Sequence, residues 1–169
     1  MTPTDVFIVD DNPANLALLS SVLREHGYHV RMAHNGARAV QAIRAHPPDI
    51  LLLDIQLPDM DGFEVCRQIK EDPATRDVPV VFLSALEDVL DKVRAFRTGG
   101  VDYVQKPFEP EELVARVETQ LHISRLRRAL EATTRDLERR NAELSARNEE
   151  LLRAHRRTEL VFSALADSL

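Results

Sequence analysis

The sequence predicts an α/β protein in which helices cover both faces of a parallel sheet. Five short apolar runs occur within residues 1–120, at 6–9, 28–33, 50–53, 78–83 and 101–104. Segments with apolar residues at helical spacing separate these runs, so predicted strands and helices alternate along the chain. Because parallel strands need a crossover connection, which is usually a helix, this alternation favours a parallel sheet.

The first two predicted helices have recognisable ends. Asn12 and Pro13 are typical of a helix start, and Gly27 is typical of a helix end. The second helix follows Asn35, another capping residue, and the prolines at 47 and 48 end it. Both helices carry apolar residues at helical spacing, which predicts that one face of each is buried.

The third and fourth helices are predicted from a single apolar stripe each. Along residues 63–70 the stripe consists of Phe63, Cys66 and Ile69. In the fourth helix, which finishes at Gly99 and Gly100, it consists of Val89, Val93 and Phe96. We expect each stripe to form the buried face of its helix, because an amphipathic helix packs its apolar side against the core.

Asp54 follows the most apolar of the five runs. Ile50–Leu53 precede it, and Pro58 and Gly62, which are unsuited to continuing a strand, come after it. A run that is apolar at every position indicates a strand buried on both faces of a parallel sheet. Asp54 should therefore lie at the carboxyl edge of the sheet, where open α/β folds bind ligands. Taken alone, an aspartate here is also typical of a helix cap or a turn.

Polar residues of complementary kinds follow four of the predicted strands. They are Asp10 and Asp11 after the first, Asp54 after the third, Ser84 after the fourth and Lys106 after the fifth. The ends of parallel strands share one edge of the sheet, so we expect these side chains to lie close together. Carboxylates brought together repel one another unless a cation joins them, and all-oxygen ligands favour a hard ion such as Mg²⁺. With the ammonium and the hydroxyl, this set suits the transfer of a phosphoryl group to a carboxylate.

From about Thr4 to about Gln120 the chain resembles the receiver domain of response regulators in bacterial two-component signalling. The resemblance rests on the pair Asp10–Asp11, the stretch DIQLPDMDG at 54–62, the pair Ser84–Ala85 and KPF at 106–108. Ser84 and Lys106 follow Asp54 by 30 and 52 residues, which are the separations expected of the family. The resemblance implies a flavodoxin-like, doubly wound sheet of five strands in the order 2-1-3-4-5.

The same resemblance implies a role for each residue of this edge. Asp54 would be the phosphoacceptor, and Asp11 and Asp54 would bind Mg²⁺ together with the main-chain carbonyl of Gln56. Asp10 would act through water or as an acid beside the direct ligands. Lys106 would contact the phosphoryl group. Such a protein is a phosphoacceptor that catalyses its own phosphotransfer and dephosphorylation, rather than an enzyme with a turnover function.

Two further features of the family concern its response and its lifetime. Ser84 would hydrogen-bond the phosphoryl group after transfer, and Tyr103 occupies the aromatic switch position that follows the movement of Ser84. The family more often has threonine than serine at this place, and either residue supplies the hydroxyl. Gln56 and Leu86 stand two residues beyond Asp54 and Ser84, where family members tune hydrolysis. Because the side chain of Leu86 cannot orient water and that of Gln56 could do so only partly, we expect a phosphorylated state that lasts longer than in family members with acidic or amide side chains at both places.

Composition excludes several other classes of protein. Residues 1–120 carry 12 basic and 20 acidic side chains, which argues against nucleic-acid binding. The single cysteine, the lack of an 18-residue apolar run and the lack of a signal peptide suit a soluble cytoplasmic protein. No phosphate-binding glycine loop follows a strand, and the histidines lack zinc-ligand spacing. Asp59 and Asp61 resemble part of an EF-hand loop, but Leu57 and Gln68 occupy positions that need acidic residues.

The segment after the receiver-like part predicts one long helix. No glycine or proline interrupts residues 111–169, so we divide the chain into a receiver domain at 1–120 and a coiled-coil linker at 121–169. One heptad position, taken as d, holds a row of leucines: Leu130, Leu137, Leu144, Leu151 and Leu165. The a positions hold Thr134, Asn141, Asn148, His155 and Phe162, and four polar residues in a row at this position make the coiled coil weak. Leucine at d with asparagine at a is typical of a parallel dimeric coiled coil.

The end of the chain is more apolar than the middle of this helix, so we expect that an output domain follows it in a longer protein.

Three hypotheses about function remain open from the sequence. The first is a receiver that takes phosphate on Asp54 from a partner histidine kinase or phosphotransfer protein and relays its state through a dimeric stalk. The second is a constitutive dimerisation or docking module without phosphorylation control. The third is a hydrolase that uses Asp54 as its nucleophile.

Overall fold

A five-stranded parallel sheet forms the centre of the computed structural model, which describes residues 3–85 and 89–167. Its strands are β1 (Asp5–Val9), β2 (His29–Ala33), β3 (Ile50–Asp54), β4 (Val80–Ser84) and β5 (Asp102–Gln105). They lie in the order β2-β1-β3-β4-β5, and every neighbouring pair is parallel. The predicted fold class and strand order are therefore confirmed.

The helices follow the strands in strict alternation. They are α1 (Pro13–Glu25), α2 (Gly36–Ala45), α3 (Gly62–Glu71), α4 (Val89–Arg97) and α5 (Pro110–Ala166). Asn12 caps α1 by accepting a hydrogen bond from the Ala14 amide, and Asn35 caps α2 by accepting one from the Arg38 amide. Both predicted caps are confirmed.

Two hydrophobic cores lie on opposite faces of the sheet. Phe7, Val9 and Leu51 face one core, which α2 and α3 cover. Their sequence neighbours Ile8 and Leu52 face the other core, which α1 and the first turns of α5 cover. Because successive side chains of a strand point to opposite faces, a strand between two cores must be apolar at every position. This explains why the strands appear in the sequence as unbroken apolar runs.

The predicted inner stripe of α4 is wrong for the two residues whose side chains the structure describes. Val93 and Phe96 are 42% and 54% exposed, whereas Ala95 between them is fully buried. Val89 belongs to α4, but its side chain lies outside the described residues. A β-carbon on Gly100 would come within 2.8 Å of both the Ala95 carbonyl and the Phe82 ring. The helix therefore packs closely through its small residue, which leaves the bulkier apolar side chains on the surface.

α5 is continuous from Pro110 to Ala166, as the sequence predicts. The structure divides into one compact unit that ends at Ser124 and a second, helical unit that begins at Arg125. In the second unit the leucines at 130, 137, 144 and 151 are 60–68% exposed, so one helix by itself does not bury the predicted d row. Among the described helices, none is long and apolar enough to cross a membrane.

Candidate functional site

The carboxyl edge of the sheet brings together the polar residues that the sequence singles out. Asp54 is the last residue of β3 and Ser84 is the last residue of β4. Asp10 directly follows β1, and Lys106 directly follows β5. Asp54 pairs in register with the residue before Ser84, because β3 and β4 are adjacent parallel strands. The candidate site therefore lies where four parallel strands end.

Lys106 joins two carboxylates at the centre of this edge. Its Nζ lies 2.7 Å from Asp10 Oδ2 and 2.8 Å from Asp54 Oδ2. Both carboxylates are buried and the lysine is half-buried, so these are charge-assisted hydrogen bonds in a largely water-excluded place. The peptide bond between Lys106 and Pro107 is cis. The two contacts of Lys106 place its ammonium beside the carboxylate that is expected to react.

The carboxylate of Asp10 is held by the start of α1. Its Oδ1 accepts a hydrogen bond of 2.8 Å from the Asn12 amide, and Asn15 Nδ2 donates to Oδ2 at 3.1 Å and to Oδ1 at 3.3 Å. These donors and Lys106 compensate for the complete burial of the charge. No pattern in the sequence indicates Asn15, because its contact depends on how α1 turns over the end of β1.

The environment of Asp54 affects both partners of its ion pair with Lys106. Burial raises the pKa of Asp54 above its ordinary value, and this exceeds the opposing effects of Lys106 and of the Gln56 amide. Burial alone would lower the pKa of Lys106, but its hydrogen bonds to Asp10 and Asp54 outweigh that effect and raise it. Lys106 therefore stays charged, and its positive charge is available to an anion that arrives at Asp54.

The acidic residues at this edge fit a divalent cation. Asp10, Asp11 and Asp54 each offer one oxygen atom within 4.8 Å of the others, and Asp11 is exposed to solvent. The Gln56 amide donates to Asp54 Oδ1 at 3.1 Å, and the Gln56 side chain is exposed. Three carboxylates against one ammonium leave negative charge that a hard cation can neutralise. Oxygen ligands without nitrogen or sulfur are the donor set that Mg²⁺ prefers.

The predicted switch residues are both buried. Ser84 is almost inaccessible at the end of β4, and Tyr103 on β5 belongs to the core that α2 and α3 cover. Ala85, which follows Ser84, is exposed. Leu86, whose side chain is expected to affect the lifetime of the phosphorylated state, lies outside the described residues. The prediction about lifetime therefore stays a prediction.

The loop from Asp54 to α3 contains residues whose functions the sequence did not reveal. Asp59 accepts hydrogen bonds of 2.8 Å from the amides of Gly36 and Ala37, so it caps the neighbouring helix α2. Asp61 caps α3 by accepting a 2.8 Å hydrogen bond from the Glu64 amide. The two aspartates that resemble an EF-hand fragment are thus helix caps, in line with the rejection of that motif.

Gly62 allows the same loop to close against β3. Its amide donates to the Ile55 carbonyl at 2.7 Å. A β-carbon at this position would lie 2.3 Å from the carbonyl oxygen of Asp54 and 2.9 Å from Ile55 Cα. Only a residue without a side chain fits there, although the sequence indicates Gly62 merely as a residue that ends a strand.

The strand order and the acidic edge together define a CheY-like α/β protein. The sequence pattern of the response regulator receiver domain matches residues 6–118 of the chain. The chain therefore belongs to the response regulator receiver domain family, as the sequence motifs predict.

Two named relatives are DNA-binding regulators. The chain is 42% identical over 116 residues to the DNA-binding response regulator MtrA of Mycolicibacterium smegmatis, a match that covers 69% of the chain and 50% of MtrA. It is 40% identical over 116 residues to the DNA-binding dual master transcriptional regulator RpaA of Synechocystis, covering 69% of the chain and 48% of RpaA. The chain thus spans about half of the length of the curated relatives that it matches.

Solved structures of receiver domains superpose on the same part of the chain. The receiver domain of the sensor histidine kinase PA1611 from Pseudomonas aeruginosa PAO1 has 30% sequence identity and a TM-score of 0.67, and covers 72% of this chain and 99% of its own. Its structure holds a magnesium ion coordinated in the active-site cleft. The receiver domain of a signal transduction histidine kinase from Syntrophus aciditrophicus has 34% identity and a TM-score of 0.66, with 70% and 90% of the two chains covered.

Proposed function

We propose that this receiver accepts a phosphoryl group on Asp54 from a phosphohistidine of a partner histidine kinase or phosphotransfer protein in the cytoplasm. The observation that carries the proposal is the Lys106 ammonium, which contacts both Asp10 and Asp54 beside the exposed carboxylate of Asp11. A nucleophilic carboxylate, a fixed cation and a set of oxygen ligands are what phosphoryl transfer requires of a protein.

In the proposed reaction a carboxylate oxygen of Asp54 attacks the phosphorus of the phosphohistidine. The new O–P bond forms as the P–N bond breaks, and the imidazole of the kinase leaves with the bonding electron pair. Asp11, Asp54 and the Gln56 carbonyl would hold Mg²⁺, with Asp10 beside them, and the ion would neutralise negative charge on the phosphoryl oxygens. Lys106 contributes its positive charge to the same oxygens.

In this proposal Ser84, the last residue of β4, responds to the new group. Its hydroxyl can donate a hydrogen bond to a phosphoryl oxygen once Asp54 carries the phosphoryl group. The reaction is then a change of state in a phosphoacceptor, and later hydrolysis returns the aspartate. The long-lived phosphorylated state expected from Gln56 and Leu86 forms part of the proposal.

We also propose that the state is relayed through a parallel dimeric stalk formed by the second unit. The exposed d row has a spacing of seven residues, and a second copy of the helix would bury it. Charges beside this row favour a parallel pair. Glu131, Glu138 and Glu159 are the charged residues at e positions, whereas Arg140 and Arg147 are those at g positions.

Parallel helices bring g positions next to e positions of the partner helix. Antiparallel helices bring g next to g and e next to e, which would oppose arginine with arginine and glutamate with glutamate. The charge pattern therefore penalises the antiparallel arrangement without needing an attractive ion pair in the parallel one. An output domain beyond the stalk remains part of this proposal.

We propose no nucleic-acid partner for this chain. The relatives named above are DNA-binding proteins, and each is about twice as long as the part that matches this chain. Residues 1–120 carry 12 basic and 20 acidic side chains, and negative charge repels a phosphate backbone.

Phosphorylation is tested with acetyl phosphate and Mg²⁺, followed by mass spectrometry of the intact chain. The unmodified protein should gain one phosphoryl group, and Asp54→Asn should gain none because the nucleophile is lost. Glu71→Gln, which removes an exposed carboxylate from the last residue of α3, at the far end of that helix from the loop after Asp54, is the matched control and should be phosphorylated normally. Asp11→Ala should need more Mg²⁺ for the same yield. An unmodified chain that gains no phosphoryl group would instead favour the docking module.

Sedimentation tests the stalk. The unmodified chain should sediment as a dimer, and Leu137→Ala with Leu144→Ala should weaken association because each removes apolar area from the d row. Leu160→Ala removes the same atoms at an f position, outside the row, and should leave the dimer intact. A monomer at tens of micromolar would contradict the proposed stalk.

A further inference from the structure

Lys92 on α4 lies over the ring of Tyr103. Its Nζ is 5.5 Å from the centre of the aromatic ring. Tyr103 is 8% exposed and shares its core with Ala95, which is one turn further along α4 and fully buried. Residues three positions apart lie on the same side of a helix, so the packing of Ala95 directs Lys92 towards β5 and the tyrosine ring.

A second cation of α4 makes a similar contact with another element. The Arg94 guanidinium carbon lies 4.2 Å from the centre of the Phe63 ring, and Arg94 Nη2 forms a 3.2 Å ion pair with Asp61 Oδ2. This contact joins α4 to the start of α3. The Lys92 contact is different, because its aromatic partner is the residue expected to change its rotamer in the switch.

We propose that Lys92 is a positioning residue that stabilises the buried rotamer of Tyr103 and thereby sets the balance of the switch. The inference rests on the proposed function, in which the rotamer of Tyr103 responds to the movement of Ser84. It adds a residue on α4 to that pair. The negative face of an aromatic ring attracts an ammonium ion, and partial burial strengthens the attraction. An outward rotamer of Tyr103 leaves this contact, so the cation favours one of the two states.

The size of the effect follows from the strength of such contacts. A half-buried cation–π pair changes a two-state ratio by roughly fivefold, which corresponds to about 1 kcal/mol. Removing the charge of Lys92 should therefore reduce the ratio of buried to exposed Tyr103 by about fivefold. Retaining a cation at the same place, as in Lys92→Arg, should restore most of the ratio because arginine also binds aromatic faces.

Fluorine NMR of protein labelled with 3-fluorotyrosine measures this ratio. The chain has two tyrosines, so Tyr28→Phe leaves a single signal from Tyr103. In this background we expect Lys92→Met to move the resonance towards that of an exposed 3-fluorotyrosine, and Lys92→Arg to return it. Arg97→Met is the matched control, because it removes one positive charge from an exposed position of the same helix and should leave the resonance unchanged.

Two results would overturn the inference. One is an unchanged Tyr103 resonance in Lys92→Met, and the other is an equal change in Arg97→Met, which would assign the effect to the charge of the helix. Thermal unfolding of each variant shows that the comparison is made on folded protein. The spectra are recorded without a phosphoryl donor. Mass spectrometry of Asp54 phosphorylation in the same variants reports separately on the proposed function.

Discussion

Replacing Gly62 with alanine should damage both the stability of the protein and its phosphorylation. The added β-carbon would lie 2.3 Å from the Asp54 carbonyl oxygen and 2.9 Å from Ile55 Cα, whereas ordinary contacts begin at 3.4 Å. Both obstructing atoms belong to the backbone, so no side chain can rotate out of the way. The chain must instead separate the start of α3 from the end of β3, which would stretch the 2.7 Å hydrogen bond between the Gly62 amide and the Ile55 carbonyl.

The expected magnitude follows from the size of this overlap. Added atoms in a well-packed place cost about 1–3 kcal/mol, and an obstacle made of backbone puts Gly62→Ala at the upper end of that range. A loss of about 3 kcal/mol lowers the melting temperature of a domain of this size by roughly 10 °C. Because the displaced atoms belong to Asp54 and its neighbour, the rate of phosphorylation should fall as well.

Thermal unfolding and labelling by acetyl phosphate, measured on the same samples, test this reasoning. Gly27→Ala is the control: Gly27 has a φ of 84°, and a β-carbon there would meet nothing within 4 Å. Gly27→Ala should lose only about 1 kcal/mol of unfolding free energy, because alanine is strained in the left-handed backbone conformation. It should be phosphorylated at the normal rate. A Gly62→Ala protein that melts as high as Gly27→Ala and accepts phosphate normally would refute the argument.

Three further predictions concern individual groups in the receiver. Burial raises the pKa of the Cys66 thiol to about 11, so a disulfide reagent at neutral pH should modify the folded protein far more slowly than the unfolded chain; equal rates would contradict this burial. Ser124→Ala should raise the free energy of unfolding by about 1 kcal/mol in urea titration, because the buried hydroxyl lacks a hydrogen-bond partner among the described residues; a loss of stability would show that it has one. Although burial alone would raise it, hydrogen bonds from Arg31 and His29 lower the pKa of Asp5 below 3.8, so their stabilisation is present above that pH and lost as the pH falls through the lowered pKa. The melting temperature should accordingly fall less steeply with decreasing pH, below about pH 4, in Asp5→Asn than in the parent protein. An equal pH dependence of the melting temperature in the two proteins would contradict this.

Features that depend on nearby sequence could be predicted from it. Asn12 and Asn35 cap their helices because a short polar side chain reaches amides two or three residues ahead. Ile50–Leu53 indicate a central strand because a strand between two helical layers has no face for a polar side chain. The meeting of Asp10, Asp54 and Lys106 also follows from the sequence, because parallel strands end at one edge.

Features that depend on distant contacts could not be predicted in this way. Asp59 caps a helix that begins more than 20 residues before it, and nothing in the local sequence indicates that partner. The buried side of α4 was predicted wrongly because its apolar spacing suggested Val93 and Phe96, while packing against the sheet selected Ala95. Close packing of backbones favours small residues, which a pattern of large apolar side chains does not reveal.

The three attachments of the loop after β3 have a mechanical consequence. Asp59 ties the loop to α2, Asp61 ties it to α3, and the Gly62 amide ties it back to β3. A loop held at three points has little conformational freedom. The group that we propose is added to Asp54 would therefore meet a stiff boundary on this side. We expect this stiff boundary to direct the displacement away from the loop, towards Ser84 and the ends of β4 and β5.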